Sequence, residues 1–198
     1  MKRRRLVCGL VVGLALVAIA IVVSLAFAGR ARNLAAVESA VRARFPQVAQ
    51  ISTGALAAWL GDPARAAPRL LDVRTAAEYA VSHLPGARRV EPGVAPPRWL
   101  VALAHDTPMV AYCAVGYRSS AYVERLKQLG FSRIYNLQGS IFAWANEERG
   151  LVRGTVPTAL VHPYDAVWGR LLDPEHRAVV SPAEEERSAP ARRPSAGT

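Results

Sequence analysis

MVAYCAVGYRSSAYVERLKQLG, residues 109–130, combines a short apolar run, a loop that contains glycine and a helical pattern. Residues 109–112 are apolar without interruption, which predicts a short buried strand. Residues 119–129 place Tyr122, Leu126 and Leu129 on one face of a predicted helix, and Gly130 is a typical C-terminal stop. The stretch therefore predicts a strand, a loop that begins at Cys113, and a helix.

The same alternation of strands and helices continues on both sides of this stretch. Further strands or extended pieces are predicted at residues 48–51, 69–73 and 133–136. Further helices are predicted around residues 56–60, 76–81, 99–104 and 140–148. The connections are long enough for parallel crossovers, so the pattern predicts a three-layer α/β domain over residues 46–158.

The N-terminal segment predicts a membrane anchor. Residues 1–5 contain four basic side chains, and residues 6–28 contain no charged side chain. A helix of that length spans about 34 Å, enough for a hydrocarbon core of about 30 Å. The preceding basic residues favour a single-pass orientation with the domain on the extracytoplasmic (periplasmic) side. The alternative is that this segment is a signal peptide, which is removed by cleavage near Ala28 so that the protein is secreted.

Three further segments flank the predicted domain. Residues 29–45 predict a stalk or first helix, with Leu34, Val37, Val41 and Phe45 at helical spacing. Residues 159–180 predict a C-terminal extension with a short helix. Residues 181–198 are rich in proline, serine, alanine and charge, which predicts a disordered tail.

Composition and motifs indicate which partners and which kinds of site to expect. The chain has 25 basic and 15 acidic side chains, a net charge of +10, which favours contact with the anionic surface of a lipid bilayer. No nucleic-acid-binding motif is present, so no nucleic acid is expected as partner. The two cysteines, Cys8 and Cys113, cannot plausibly meet in a folded domain, and there is no zinc set, so neither a disulfide nor a metal site is predicted.

Cys113 is the candidate nucleophile. Ligands of parallel α/β sheets gather at the carboxyl ends of the strands, and Cys113 directly follows such an end. Backbone N–H groups of the loop and of the next helix can converge there and favour a thiolate over a thiol. The predicted anion-binding loop consists of Ala114, Val115, Gly116, Tyr117 and Arg118.

Two residues of this loop keep more than one interpretation. The guanidinium of Arg118 can meet an incoming oxyanion, or it can form a salt bridge that steadies the loop. Tyr117 can screen the pocket, recognise a substrate or simply pack. No histidine adjoins the loop, so a Cys/His pair is not predicted.

Three blocks of the sequence resemble the recurrent motifs of single-domain rhodaneses. They are LLDVRTAAEYAVSHLPGA (residues 70–87), YCAVGYRSS (residues 112–120) and IYNLQGSIFAWANE (residues 134–147). The resemblance implies a central parallel five-stranded sheet. It also implies that Cys113 carries a sulfane sulfur as a persulfide, and that Asp72, Arg74 and Glu78 give structural support.

The departures from the family pattern are few. Ser82 and Ser140 each stand where glycine is common, and Leu84 stands for isoleucine. None of these residues is expected to touch the nucleophile. Four residues separate Cys113 from Arg118, whereas the related phosphatases have five, and the shorter loop suits sulfur better than a tetrahedral phosphate.

The resemblance implies a sulfurtransferase, which the predicted membrane span would anchor. Cys113 would take sulfur from thiosulfate or a persulfide and pass it to a thiol or another thiophile, in two covalent steps and without a cofactor. The alternative is a catalytically silent rhodanese-like module that binds partners at the membrane.

Overall fold

The computed structural model describes Gly29 and residues 33–180. Five strands form one parallel sheet in the order β1–β5–β4–β2–β3. They are β1 (Gln50–Ile51), β2 (Arg69–Asp72), β3 (Arg88–Arg89), β4 (Met109–Tyr112) and β5 (Ile134–Leu137). The five-stranded parallel sheet that the family resemblance implies is therefore confirmed.

Helices flank the sheet, and a small hairpin and two short turns follow it. The helices are α1 (residues 33–44), α2 (Thr53–Leu60), α3 (Ala76–Val81), α4 (Arg98–Val101), α5 (Tyr117–Gln128) and α6 (Ser140–Asn146). The antiparallel hairpin consists of β6 (Leu151–Arg153) and β7 (Val156–Thr158). The two 3-10 turns cover Trp168–Leu171 and Pro174–His176.

The sheet separates two apolar cores, because successive side chains of a strand point to opposite faces. In β4, Val110 and Tyr112 belong to the core beneath α2 and α6, while Met109 and Ala111 belong to the core beneath α4 and α5. Strands covered on both faces are continuously apolar, and for this reason residues 109–112 read as an uninterrupted apolar run.

Local capping signals set the helix boundaries. The Ser52 side chain accepts a hydrogen bond from the N–H of Ala55 at the start of α2. Thr75 and Glu78 form a reciprocal capping box at the start of α3. Such caps contribute about 1 kcal/mol each, because they satisfy N–H groups that the helix leaves free.

The segments on either side of the predicted domain pack into its cores. Leu34 of α1 joins the core beneath α6, and Val41 and Phe45 join the core beneath α5. From the C-terminal extension, Val161 and Leu172 are fully buried in the first of these cores. Both segments thereby reach the carboxyl edge of the sheet.

The predicted membrane span at residues 6–28 and the predicted tail at residues 181–198 lie outside the described residues. Within the described part of the chain, no helix is both long enough and apolar enough to cross a bilayer.

Candidate active site

Cys113 is the first residue after β4, and its side chain faces a pocket while being only 1 % exposed. The N–H of Gly116 donates a hydrogen bond to Cys113 Sγ at 3.2 Å. Gly116 has a φ of +105°, and a Cβ at this position would lie 3.2 Å from Asn136 Nδ2. Both the backbone conformation and the space therefore favour glycine where the loop turns toward the sulfur.

The surroundings of Cys113 favour the thiolate. Burial by itself would raise the pKa of the Cys113 thiol, but the positive charge of Arg118 and hydrogen bonds from Ser119 and Gly116 outweigh burial and lower it. A thiolate is the reactive form of cysteine, so these neighbours prepare the sulfur for attack.

Ser119 links the sulfur to a buried amide. Its hydroxyl lies 2.6 Å from Asn136 Oδ1 and also interacts with Cys113. The orientation of the Asn136 amide is set because its Nδ2 donates to Gln50 Oε1 at 2.7 Å. A hydroxyl has a single proton, which Ser119 donates to Asn136 in this structure, and the backbone N–H of Ser119 also favours the thiolate of Cys113.

Ser140 contacts the nucleophile's own backbone, so the expectation that no departure from the family pattern touches Cys113 is wrong. Ser140 Oγ accepts the N–H of Cys113 at 3.2 Å, and its hydroxyl donates to Leu137 O at 3.1 Å. Ser140 has a φ of +53°, a left-handed conformation that glycine adopts without strain. The serine therefore keeps the glycine-like backbone and adds a hydrogen bond.

The N-terminal N–H groups of α6 hold the start of the loop. Ile141 N–H donates to Cys113 O, and Phe142 N–H donates to Ala114 O, both at 3.2 Å. Ala114 is buried, and so is its neighbour Val115. The first part of the loop is thus fixed by the main chain, which holds the sulfur in one position.

Arg118 forms a two-pronged ion pair with Glu78. Arg118 Nη1 donates to Glu78 Oε2 at 2.8 Å and Nη2 donates to Oε1 at 2.7 Å. Burial would raise the pKa of Glu78, but Arg118, then Arg74 and the N–H of Thr75, lower it. The salt bridge considered from the sequence is present, and Arg118 also lines the pocket, where its charge acts on Cys113.

Asp72 and Arg74 form a fully buried ion pair next to the site. Arg74 Nη2 lies 2.6 Å from Asp72 Oδ2 and 2.6 Å from Ser82 O. Asp72 ends β2 and lies in register with Tyr112, the residue before Cys113. The pair therefore ties the turn after α3 to the strand ends that carry the nucleophile.

The pocket has a volume of about 470 Å³ and three walls. The loop contributes Cys113, Ala114, Val115, Tyr117 and Arg118; α1 contributes Val37, Ala40, Val41 and Arg44; the C-terminal extension contributes Tyr164 and Trp168. Tyr117 is half exposed and packs edge-on against Phe45, with ring centroids 5.1 Å apart. Arg118 lies over the Tyr164 ring, 4.9 Å from its centroid.

Several residues around Cys113 were not predicted from the sequence. Asn136 carried a signal, because it lies near the carboxyl end of a predicted strand beside that of Cys113. Ser119 also carried a sequence signal, because it places a hydroxyl group at the predicted start of the helix that follows the Cys113 loop. No sequence signal connected Val37, Tyr164 or Trp168 to Cys113, since these side chains reach the pocket through tertiary packing.

Comparison with known proteins agrees with this geometry. The family model of the rhodanese-like domain matches residues 52–147. A sulfurtransferase of Allochromatium vinosum is 38% identical over 76 residues, which are 38% of this chain and 70% of that protein. The thiosulfate sulfurtransferase GlpE of Stutzerimonas stutzeri is 27% identical over 93 residues, 47% of this chain and 77% of that protein.

A third relative is much longer than the region of similarity. The probable adenylyltransferase/sulfurtransferase MoeZ of Mycobacterium tuberculosis is 35% identical over 79 residues, 39% of this chain. Those residues cover 20% of MoeZ, so the chain matches about a fifth of that relative's length. The family match, the A. vinosum relative and the parallel sheet with a cysteine loop after β4 together show that this chain belongs to the rhodanese-like domain family.

Proposed function

We propose that the protein is a sulfurtransferase that carries sulfur on Cys113. The Cys113 thiolate attacks the outer sulfur of thiosulfate, a new S–S bond forms, and the S–S bond of thiosulfate breaks. The products are a Cys113 persulfide anion and sulfite, so atoms and charge balance without an oxidant. The reaction follows the rules of thiol–disulfide exchange, in which the thiolate attacks and the more acidic partner leaves.

In the second step, a thiolate acceptor attacks the outer sulfur of the persulfide. The acceptor leaves with that sulfur as its own persulfide, and the Cys113 thiolate is restored. The N–H of Gly116 and the charge of Arg118 favour a negative sulfur before and after transfer. The same groups therefore serve both half-reactions.

The main support for this proposal is the state of the Cys113 sulfur. It lies at a pocket of about 470 Å³, its pKa is lowered, and a backbone N–H points at it from 3.2 Å. A structural cysteine in an apolar core has its pKa raised instead. The names of the relatives, sulfurtransferase and thiosulfate sulfurtransferase, support the same chemistry.

Intact mass spectrometry tests the proposal. The full chain is incubated with thiosulfate and desalted, and we expect a gain of one sulfur atom that cyanide or a thiol then removes. Cys113→Ser should show no gain, and Cys8→Ser should gain sulfur as the unchanged chain does. If neither thiosulfate nor organic donors load Cys113, the alternative of a silent binding module replaces the enzyme.

We further propose that residues 6–28 anchor the domain in a membrane, with the domain on the extracytoplasmic side. The support is the uncharged apolar length of this segment and the basic residues before it. The full chain should stay in the membrane pellet after alkaline carbonate extraction, and the double variant Leu16→Arg, Ile19→Arg should leave it. A mature chain that begins near residue 29 would instead establish a cleaved signal.

A further inference from the structure

The pocket at Cys113 is much larger than a small inorganic donor requires. Thiosulfate has five heavy atoms, which need roughly 150 Å³ if each takes the volume share of about one water molecule. The pocket measures about 470 Å³, within the range of about 300–1,000 Å³ that is typical of sites for organic ligands. Bound thiosulfate would therefore leave most of this space to water.

The walls offer little to that water. The apolar side chains that line the pocket include Val37 and Val41 of α1, Val115 of the loop and Trp168 of the C-terminal extension. Water against such side chains lacks hydrogen-bond partners, so an apolar group that displaces it gains affinity.

The charged groups at the pocket are cationic. Arg118 keeps its positive charge beside Cys113 even though it is paired with Glu78. Arg44 also lines the pocket, with its guanidinium carbon 5.0 Å from the centroid of the Phe45 ring. Among the described residues that line the pocket, none is acidic. The lining thus fits a ligand with an anionic sulfur end and an apolar body.

We propose that the preferred sulfur donor is an organic sulfane-sulfur compound with an apolar group R, of the type R–SO₂–S⁻ or R–S–S⁻; this rests on the proposed sulfurtransferase function. The group R lies against the apolar side chains of α1 and Trp168 that line the pocket, and the outer sulfur meets Cys113. In the transfer, the Cys113 thiolate forms a bond to that sulfur and the bond to the donor breaks. The leaving group is the sulfinate R–SO₂⁻ or the thiolate R–S⁻, so charge and atoms balance.

The residues that would recognise R lie outside the region shared with the family. The family model covers residues 52–147, whereas Val37, Val41 and Trp168 lie before and after it. The α1 wall is fastened to the site, because Gln138 Nε2 donates to Glu38 Oε2 at 2.7 Å. The family region thus supplies the sulfur site, and α1 and the C-terminal extension add the apolar surface that would contact R.

A series of donors of rising chain length tests the proposal. The full chain is assayed with methane-, ethane- and butanethiosulfonate, with release of sulfinate as the readout. Each buried methylene group is worth up to roughly a fourfold gain in kcat/KM, so we expect at least a tenfold rise from methane- to butanethiosulfonate. A ratio near one, or a fall with chain length, overturns the proposal.

Variants of the wall provide the second readout. Val37→Asn and Trp168→Ala should each reduce the butane-to-methane ratio of kcat/KM at least threefold, whereas Val156→Asn on the remote hairpin should leave that ratio unchanged. A ratio is used because it cancels differences in the fraction of active protein. If both wall variants keep the ratio of the unchanged chain, the pocket does not hold R and the proposal is wrong.

The two proposals fail in different ways. If thiosulfate loads Cys113 but chain length has no effect, the sulfurtransferase function stands and the organic donor is excluded. A protein thiol could accept sulfur from Cys113 while all small donors react at equal rates. That result would assign the pocket to a protein partner and would exclude the preference for an organic donor. If no donor loads Cys113, both proposals fall.

Discussion

At the scale of single residues, the state of the Cys113 sulfur depends on a few neighbours. Arg118 contributes most to lowering the pKa of the thiol against the effect of burial, and hydrogen bonds from Ser119 and Gly116 contribute less. Arg118 is itself held by Glu78 through two hydrogen bonds of 2.7 and 2.8 Å. The reactivity of the cysteine therefore depends on the Glu78 carboxylate, which lies 40 residues before Arg118 in the chain.

We expect Arg118→Met to move the pH midpoint of Cys113 alkylation upward. Loss of the positive charge removes the main favourable influence on the thiolate, so the rate at pH 7 should fall severalfold. The rate of Cys113 alkylation by iodoacetamide is measured by mass spectrometry of peptides, which distinguishes Cys113 from Cys8. Arg133→Met, a change at an exposed arginine, is the control and should leave the midpoint where it is. An unchanged midpoint in Arg118→Met would show that its charge does not act on the sulfur.

Ser140 permits a test that separates backbone strain from hydrogen bonding. Both Ser140→Ala and Ser140→Gly lose the bond to the Cys113 N–H, but glycine also relieves the left-handed conformation at φ +53°. We expect the alanine variant to lose about 1–3 kcal/mol of unfolding free energy. The glycine variant should be more stable than the alanine variant by about 1 kcal/mol. Urea titration measures both, and equal stabilities would contradict the strain argument.

At the scale of secondary-structure elements, α1 acts as part of the domain. It precedes the region matched by the family model, yet Leu34, Val41 and Phe45 are buried in the two cores. Lys127 of α5 also donates to Gln47 O, just after this helix. The pocket wall formed by α1 is thus fastened on two sides of the sheet.

The change Leu34→Ala tests the docking of α1. Leu34 is 7 % exposed, so its truncation should cost about 2–3 kcal/mol of unfolding free energy through lost burial and a cavity. Leu129→Ala removes the same atoms from a side chain that is 45 % exposed, and should change stability by less than about 0.5 kcal/mol. Thermal or urea unfolding gives the comparison. Equal effects for the two changes would mean that α1 does not depend on this contact.

At the scale of the whole molecule, the buried charges at the carboxyl edge couple stability to pH. Burial would raise the pKa of Glu78, but Arg118, Arg74 and Thr75 outweigh burial and lower the pKa. A carboxylate with a lowered folded-state pKa stabilises the fold above its ordinary pKa. That contribution disappears as the pH falls through the folded-state value.

We therefore expect Glu78→Gln to destabilise the protein most at neutral pH. The loss should be about 3 kcal/mol at pH 7, because Arg118 loses the buried carboxylate that binds it and Arg74 loses a nearby negative charge. The difference from the unchanged protein should narrow as the pH falls below 4.5, the ordinary value for glutamate, since the unchanged protein then loses the same contribution. Urea titrations at several pH values measure this. A difference between Glu78→Gln and the unchanged protein that stays constant over this pH range would contradict the linkage.

The sequence by itself determined four of the five strands of the sheet, its helices, the loop that begins at Cys113, and the family resemblance, whereas the two-residue strand β3 was not predicted. These follow from apolar periodicity, glycine and capping residues, all of which act between neighbours in the chain. The tertiary structure decided what surrounds the sulfur. Ser140 lies 27 residues from Cys113, and Trp168 of the pocket comes from beyond the family region. Such contacts depend on how separate elements pack together, and no local pattern in the chain encodes which side chains will meet.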